Sequence, residues 1–255
     1  MRSLVLLGLT LLQGGSPARE QATALASVRA VELEAPPGTL VQHFRIEDER
    51  PPVGAEPRGL MRFVTGPDPE GGLRVELELL YFEPELRLIH TERATDAGRE
   101  LVFREVRADG GRTLFLHGSP ATGYESHELG GREAVRRTQS GAGEFPLFLV
   151  EAARRGLALP SAPDLYEPLA ARFEPTRAVL VPGEEPALEL RRADGSRRWA
   201  VRFRAGVPVE WRWLEGAAIA RAIAPEEFER LRAQHDTQRR AALAAAARAE
   251  RPAPR

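Results

Sequence analysis

The stretch Leu73-Arg74-Val75-Glu76-Leu77-Glu78-Leu79-Leu80-Tyr81 decides how the chain is read. In an extended strand, Leu73, Val75, Leu77, Leu79 and Tyr81 share one face, and Arg74, Glu76 and Glu78 share the other. A helix would scatter the same residues around its circumference, so the alternation predicts a half-buried β-strand. Working outward, the same period recurs at 86–93, 101–107 and 112–117. The turn-forming stretches Asp96-Ala97-Gly98 and Asp109-Gly110-Gly111 separate these runs. Upstream, 40–47 and 60–65 read as a first pair of strands. The proline-rich stretch 50–57 between them predicts a loop rather than a tight turn. This is the spacing of an antiparallel meander.

The middle of the chain breaks the pattern. Ser140-Gly141-Ala142-Gly143 is a hinge-like run, and Pro146 stands where the first helical turn tolerates proline. A helix is predicted over 147–155, stopped by Gly156 and buried against the sheet, because its start has few polar positions. Ser161 with Asp164 resembles a capping box, which predicts a second short helix ended by Pro168. Strands then return at 187–192 and 197–204 around the hairpin signal Ala193-Asp194-Gly195-Ser196, and again at 207–214 and 217–223. Trp199, Val201 and Phe203 share one strand face, and Trp211 and Trp213 share a face of the next. Pro225-Glu226-Glu227 opens a C-terminal helix whose Phe228 and Leu231 are placed to dock. From 237 to 255 the chain is mostly alanine and arginine and reads as a solvated tail, its helix ending at Pro252. The fold class expected is mainly β (α+β). It comprises a large antiparallel meander sheet with one or two short helices inserted mid-chain and a C-terminal helix. A half-barrel, a closed barrel and a sandwich share this alternation.

The first residues read as an export signal. Arg2 precedes the apolar run 4–12, and the small-residue sites Ser16-Pro17-Ala18 and Ala22-Thr23-Ala24 follow. Cleavage after Ala18 or Ala24 is expected, which leaves 25–236 as a single β-rich domain. The apolar run is far shorter than the roughly 20 residues of a membrane-spanning helix. The expectation is an exported chain, periplasmic or extracellular, with no transmembrane span after cleavage. The absence of cysteine removes disulfides, thiolate chemistry and a lipid-anchored N-terminal cysteine, so the chain is not a lipoprotein. All 36 basic residues are arginine, which excludes lysine Schiff-base chemistry. A formal charge of -1 gives no electrostatic reason to expect nucleic acid.

Two motifs invite chemistry. Leu114-Phe115-Leu116-His117-Gly118-Ser119 resembles the strand that enters the oxyanion loop of α/β-hydrolases. No Gly-x-Ser-x-Gly elbow accompanies it, and Gly123-Tyr124-Glu125-Ser126-His127 has the wrong spacing, so His117 reads better as a strand-end residue. The five histidines lack the i, i+2 or i, i+4 spacing of a metal-binding face, although a hairpin would bring His117 and His127 together with Glu125 or Glu128. Neither metal nor cofactor is expected. Glu76 and Glu78, with arginines such as Arg87 and Arg104, read as a wet sheet face.

In its order of elements the chain resembles the outer-membrane lipoprotein carrier family of the bacterial periplasm. That resemblance implies a curved sheet around short helices, with an apolar concave face for acyl chains. No family motif accompanies it, so it carries over no functional residue. On the inward faces the candidate ligand-binding residues are Tyr81, Trp199, Phe203, Trp211 and Trp213, which either line a cleft or fill it as core. The function expected is a non-catalytic exported β protein that binds an apolar ligand or an envelope partner, with lipid the first candidate. A periplasmic hydrolase using His117 or His127 is the alternative, and a structural protein-interaction module is the third reading.

Overall fold

A computed structural model describes residues 38–52, 55–107, 110–119, 122–130, 135–139, 143–160, 162–167, 172–213 and 218–249. The expected export signal, Ser161, Pro168 and the end of the tail lie outside the described residues. The first eight strands are β1 (Leu40–Asp48), β2 (Gly59–Pro67), β3 (Leu73–Tyr81), β4 (Leu86–Thr95), β5 (Gly98–Arg107), β6 (Gly110–Ser119), β7 (Gly123–Gly130) and β8 (Val135–Gln139). Helix α1 (Pro146–Arg154) follows, and then β9 (Asp164–Glu167), β10 (Arg172–Val181), β11 (Ala187–Arg192), β12 (Arg197–Arg204), β13 (Val207–Trp213) and β14 (Ala218–Ile223). Helix α2 (Pro225–Ala249) ends the described chain.

The strands form one antiparallel sheet in the order β8-β7-β6-β5-β4-β3-β2-β1-β14-β13-β12-β11-β10-β9. Two sequential meanders are thus joined where β1 pairs with β14, with Phe44 opposite Ala222 and Ile46 opposite Ala220. The β11–β12 and β12–β13 ladders each carry a register shift, at Leu190/Arg191 and at Arg202/Phe203, and such irregularities bend and twist a sheet. Strand β10 changes partner along its length. Its residues Arg172 to Pro175 pair with β9, and Thr176 to Val181 pair with β11.

Among the described residues, the two edges of this sheet come together without closing into a hydrogen-bonded barrel. Glu144, just before α1, donates its N–H to the Asp164 carbonyl (2.8 Å) and accepts from the Tyr166 N–H (3.0 Å). Tyr124 of β7 packs on Phe173 of β10 (5.4 Å) and on Phe145 (5.2 Å). Gly143 is needed at this seam, because a Cβ there would stand 1.7 Å from the Phe173 ring. The result is a barrel-like, incompletely closed sheet.

Helix α1 fills much of its interior, and every residue from Leu147 to Ala153 is buried. Leu147, Phe148, Leu149 and Val150 join one core with Phe44, Phe63, Val75, Leu101, Leu116 and Val201. Pro146 opens the helix, as its fixed φ favours. At the other end Gly156 adopts φ +68°, with Gly156 N–H to Ala153 O (3.0 Å) and Leu157 N–H to Ala152 O (2.9 Å). These two bonds are a Schellman ending, which explains why the glycine stops the helix.

Helix α2 lies on the outer face. Phe228 packs on His43 (4.5 Å) and His235 stacks on Phe82 (4.3 Å). From Asp236 onward its described side chains are exposed, as the alanine–arginine composition predicts. The second mid-chain helix is corrected. Asp164–Glu167 is strand β9, and Leu165 and Tyr166 are buried there against the start of β10. Four residues before a proline are too few to propagate a helix, whereas pairing satisfies their backbone at once.

Candidate functional site

All five aromatic candidates project into the interior, but they divide into two kinds. Phe203 and Trp211 are each 2% exposed and belong to the core. Tyr81, Trp199 and Trp213 are only partly buried and pack against that core, as does Leu88. Trp199 and Trp213 are direct cross-strand partners, and Trp211 stands opposite Val201. The three indoles form a stack, with Trp199–Trp211 at 5.7 Å and Trp211–Trp213 at 6.4 Å. Phe63 of β2 meets the middle ring at 5.7 Å. Such cross-strand aromatic contacts hold register as well as burying surface.

Register fixes where the partly exposed group sits. Trp213 pairs with Ala218, Ala218 with Asp48, Gly59 with Tyr81, and Tyr81 with Leu86. Tyr81, Leu88, Trp199 and Trp213 therefore lie toward one set of strand ends. Helix α1 enters from the opposite set. Its N-terminus meets Glu92, near the far end of β4, and a Cβ on Gly206 of the β12–β13 turn would come within 3.2 Å of the Arg154 carbonyl. Helix α1 thus occupies one end of the interior, and the aromatic side chains lie toward the other. Burial raises the Tyr81 phenol above its usual range, so its O–H stays protonated at neutral pH. The Trp211 indole N–H, buried in the same face, has no hydrogen-bond partner among the described residues.

A polar group anchors the end that α1 occupies. Glu92, fully buried, accepts from the backbone N–H groups of Leu147 (2.9 Å) and Phe148 (2.7 Å). It serves as the N-cap that α1 lacks locally, since Phe145 provides no side-chain cap. His90 Nε2 lies 2.9 Å from the same carboxylate. Beside it, Arg99 donates to Glu144 (2.7 Å), and both are nearly inaccessible. Burial holds the Glu144 carboxyl above the usual carboxylate range, with Arg99 opposing that shift. Tyr124 donates its O–H to the Gly143 carbonyl at 3.3 Å. Sequence reasoning passed over Glu92, Arg99 and Glu144. The available signal was a charged residue at an inward register position, where Glu92 and Arg99 interrupt the apolar alternation.

The histidine pair meets as the hairpin reading allows. His117 and His127 stack at 6.0 Å on the outer face of β6 and β7, with Glu125 at 4.0 Å from one and 3.5 Å from the other. Among the described residues, no three His, Asp or Glu side chains are grouped to hold a metal ion. Ser126 is buried on the inner face, whereas its neighbour His127 faces outward. The two side chains of that dipeptide therefore do not combine as nucleophile and base.

No family model matches the chain, and no curated protein matches it. One solved structure similar to it is that of a beta-barrel-like protein of domain of unknown function DUF1849 from Brucella abortus. The TM-score is 0.34 and the identity 12%, over 72% of this chain and 93% of that chain.

Proposed function

We propose that the protein is an exported, non-catalytic β protein that binds an apolar ligand at the aromatic end of its sheet interior. The observation that carries this reading is the partial exposure of Tyr81, Trp199, Trp213 and Leu88, which pack against the buried core toward one set of strand ends. Large apolar side chains left accessible together inside a curved sheet are the surface an acyl chain fits. The export reading supports an acyl ligand, since the cell envelope is rich in acyl esters. No helix among the described residues is long and apolar enough to cross a membrane.

The test is native mass spectrometry of the full chain, recovered gently from the exported fraction of its own or a related bacterium. The expected spectrum shows a chain shortened by cleavage after Ala18 or Ala24, with an additional mass that fragments as an acyl lipid. An intact N-terminus would contradict export, and a bare polypeptide that takes up no added phospholipid or fatty acid would contradict the ligand reading.

A further inference from the structure

Helix α2 runs along the outer face toward the aromatic end of the sheet. Its first turn docks on β1, where Glu227 meets Arg45 (3.5 Å) and Phe228 packs on His43 (4.5 Å). Two turns on, His235 stacks on Phe82, and one turn later Arg239 donates to Glu85 (2.9 Å). His43 lies midway along β1, whereas Phe82 and Glu85 belong to the turn between Tyr81 of β3 and Leu86 of β4. The helix therefore advances toward the strand ends near which Tyr81, Leu88, Trp199 and Trp213 lie. It does not stop at that turn. Ten more residues, 240–249, continue it, which at 1.5 Å per residue carries the helix about 15 Å beyond its contact with Glu85.

The charge of the helix changes where it leaves the sheet. From Pro225 to Arg239 it is close to neutral, with four carboxylates against three arginines. Beyond Arg239 the sequence sets Arg240, Arg248, Arg251 and Arg255 against Glu250, four positive charges to one negative and a formal +3. Arg240 donates to the Asp236 carbonyl of its own helix (3.1 Å), and no carboxylate pairs with it among the described residues. The total of -1 leaves a formal -4 on the rest of the chain. Of the carboxylates at the aromatic end, Asp48, Glu49 and Glu85 are held by Arg58, Arg212 and Arg239, and Glu56 and Glu83 add two more. The arm reaches farther than the roughly 10 Å over which exposed charges act at 0.1 M salt, so its outer arginines meet a charged surface before those carboxylates are felt.

We propose that the α2 arm docks the protein on an anionic lipid bilayer, with the aromatic end of the sheet turned toward it. Alanine fills 241–247 except at Leu243, so the arm offers nothing bulky to the bilayer interior and the contact is electrostatic and superficial. From 237 to 255 there is no aromatic residue on which a base could stack, which favours a lipid surface over a single-stranded nucleic acid. Each basic residue held at an anionic surface gains about fivefold in partitioning, so a net +3 gives a preference on the order of a hundredfold over a neutral surface. Contact of that strength is reversible. It presents the interior to a source of acyl chains, a purpose that rests on the apolar-ligand reading, whereas the docking stands without it.

The chain has no cysteine, so a single introduced thiol places a fluorescent donor at one site. Glu83→Cys puts it in the β3–β4 turn and Glu70→Cys in the β2–β3 turn, at opposite ends of the nine-residue β3 and so about 30 Å apart. Vesicles of phosphatidylglycerol in phosphatidylcholine carry an acceptor on their headgroups. At low salt the Glu83 donor is expected to be quenched at least twice as strongly as the Glu70 donor. About 1 M salt, which shortens screening to about 3 Å, should abolish both signals. Vesicles of phosphatidylcholine alone should need on the order of a hundredfold more lipid. Replacing Arg240, Arg248, Arg251 and Arg255 together by glutamine, which keeps helix propensity, should remove the preference for anionic vesicles. The same fourfold variant should keep the parent's response to a brominated fatty acid, and absence of that response counts against the interior ligand alone. Equal affinity for neutral vesicles, a Glu70 donor quenched as strongly as the Glu83 donor, full affinity in the fourfold variant, or tighter binding to single-stranded RNA than to anionic vesicles would each overturn the docking.

Discussion

Replacing Glu92 by leucine tests how the interior helix is held. The carboxylate is fully buried and accepts two backbone hydrogen bonds at the start of α1, at 2.9 and 2.7 Å. Leucine has nearly the same length and no acceptor, so the Leu147 and Phe148 amides would be stranded in the core. Each stranded donor costs about 1–3 kcal/mol, which sets an upper range of about 2–6 kcal/mol. Removing a buried anion relieves part of its desolvation cost, so a net loss of about 2–4 kcal/mol is expected. That is a large fraction of the roughly 5–15 kcal/mol by which domains are stable. Glu92→Gln retains a carbonyl acceptor for one of the two amides and should lose about half as much. Urea unfolding followed by tryptophan fluorescence supplies the free energies. The ¹⁵N–¹H resonances of Leu147 and Phe148 report the bonds themselves. As a control, Glu78→Gln removes a carboxylate of the wet outer face and should change stability by less than about 1 kcal/mol. A Glu92→Leu protein within about 0.5 kcal/mol of the parent, with those two amide resonances unchanged, would refute the capping argument.

Three further outcomes follow from local geometry. Gly143→Ala drives a methyl group into the Phe173 ring at the seam between the sheet edges and should cost about 1–3 kcal/mol, measured by urea unfolding. Ala205 holds φ +49° in the β12–β13 turn ahead of Gly206, so Ala205→Asn, which creates an Asn-Gly hairpin turn, should raise stability by about 0.5–1 kcal/mol in the same assay. His43 is held below its usual pKa of 6.5 by burial under α2 and then by Arg62, while Glu229 pulls the other way. The unfolded chain therefore binds the proton more readily, so the His43 contribution is complete above pH 6.5 and is lost as pH falls through the lowered value. His43→Gln should flatten the fall in unfolding free energy between pH 7 and pH 5, and an unchanged pH profile would count against that assignment.

How much of this was legible in the sequence depends on what each element had to satisfy. Strict alternation marked β3 because one of its faces is core and the other is solvent, and its bounds of Leu73–Tyr81 agree residue for residue. Helix α1 was legible through Pro146 and Gly156, two residues whose backbone preferences act locally. Strands β7, β8 and β10 were not read in advance. β7 alternates with histidine and glutamate rather than aliphatic residues, and the Pro175 within β10 reads as a break when it marks a change of pairing partner. The Asp164 segment misled because a cap signal is local, whereas its pairing partner Arg172–Pro175 lies beyond a proline. For the candidate site, the inward placement of the tryptophans followed from periodicity. Their division into buried and partly exposed members did not, because it depends on where α1 enters the sheet.

The most direct test of the central claim is tryptophan quenching by a brominated fatty acid, since Trp199, Trp211 and Trp213 all face the interior. Dibromostearate added below its critical concentration is expected to quench saturably at about one molecule per chain. Trp213→Phe together with Tyr81→Ala should weaken that binding severalfold without unfolding the protein. Quenching that rises linearly without saturation, or tryptophans that do not respond at all, would contradict an apolar ligand site at the aromatic end of the sheet.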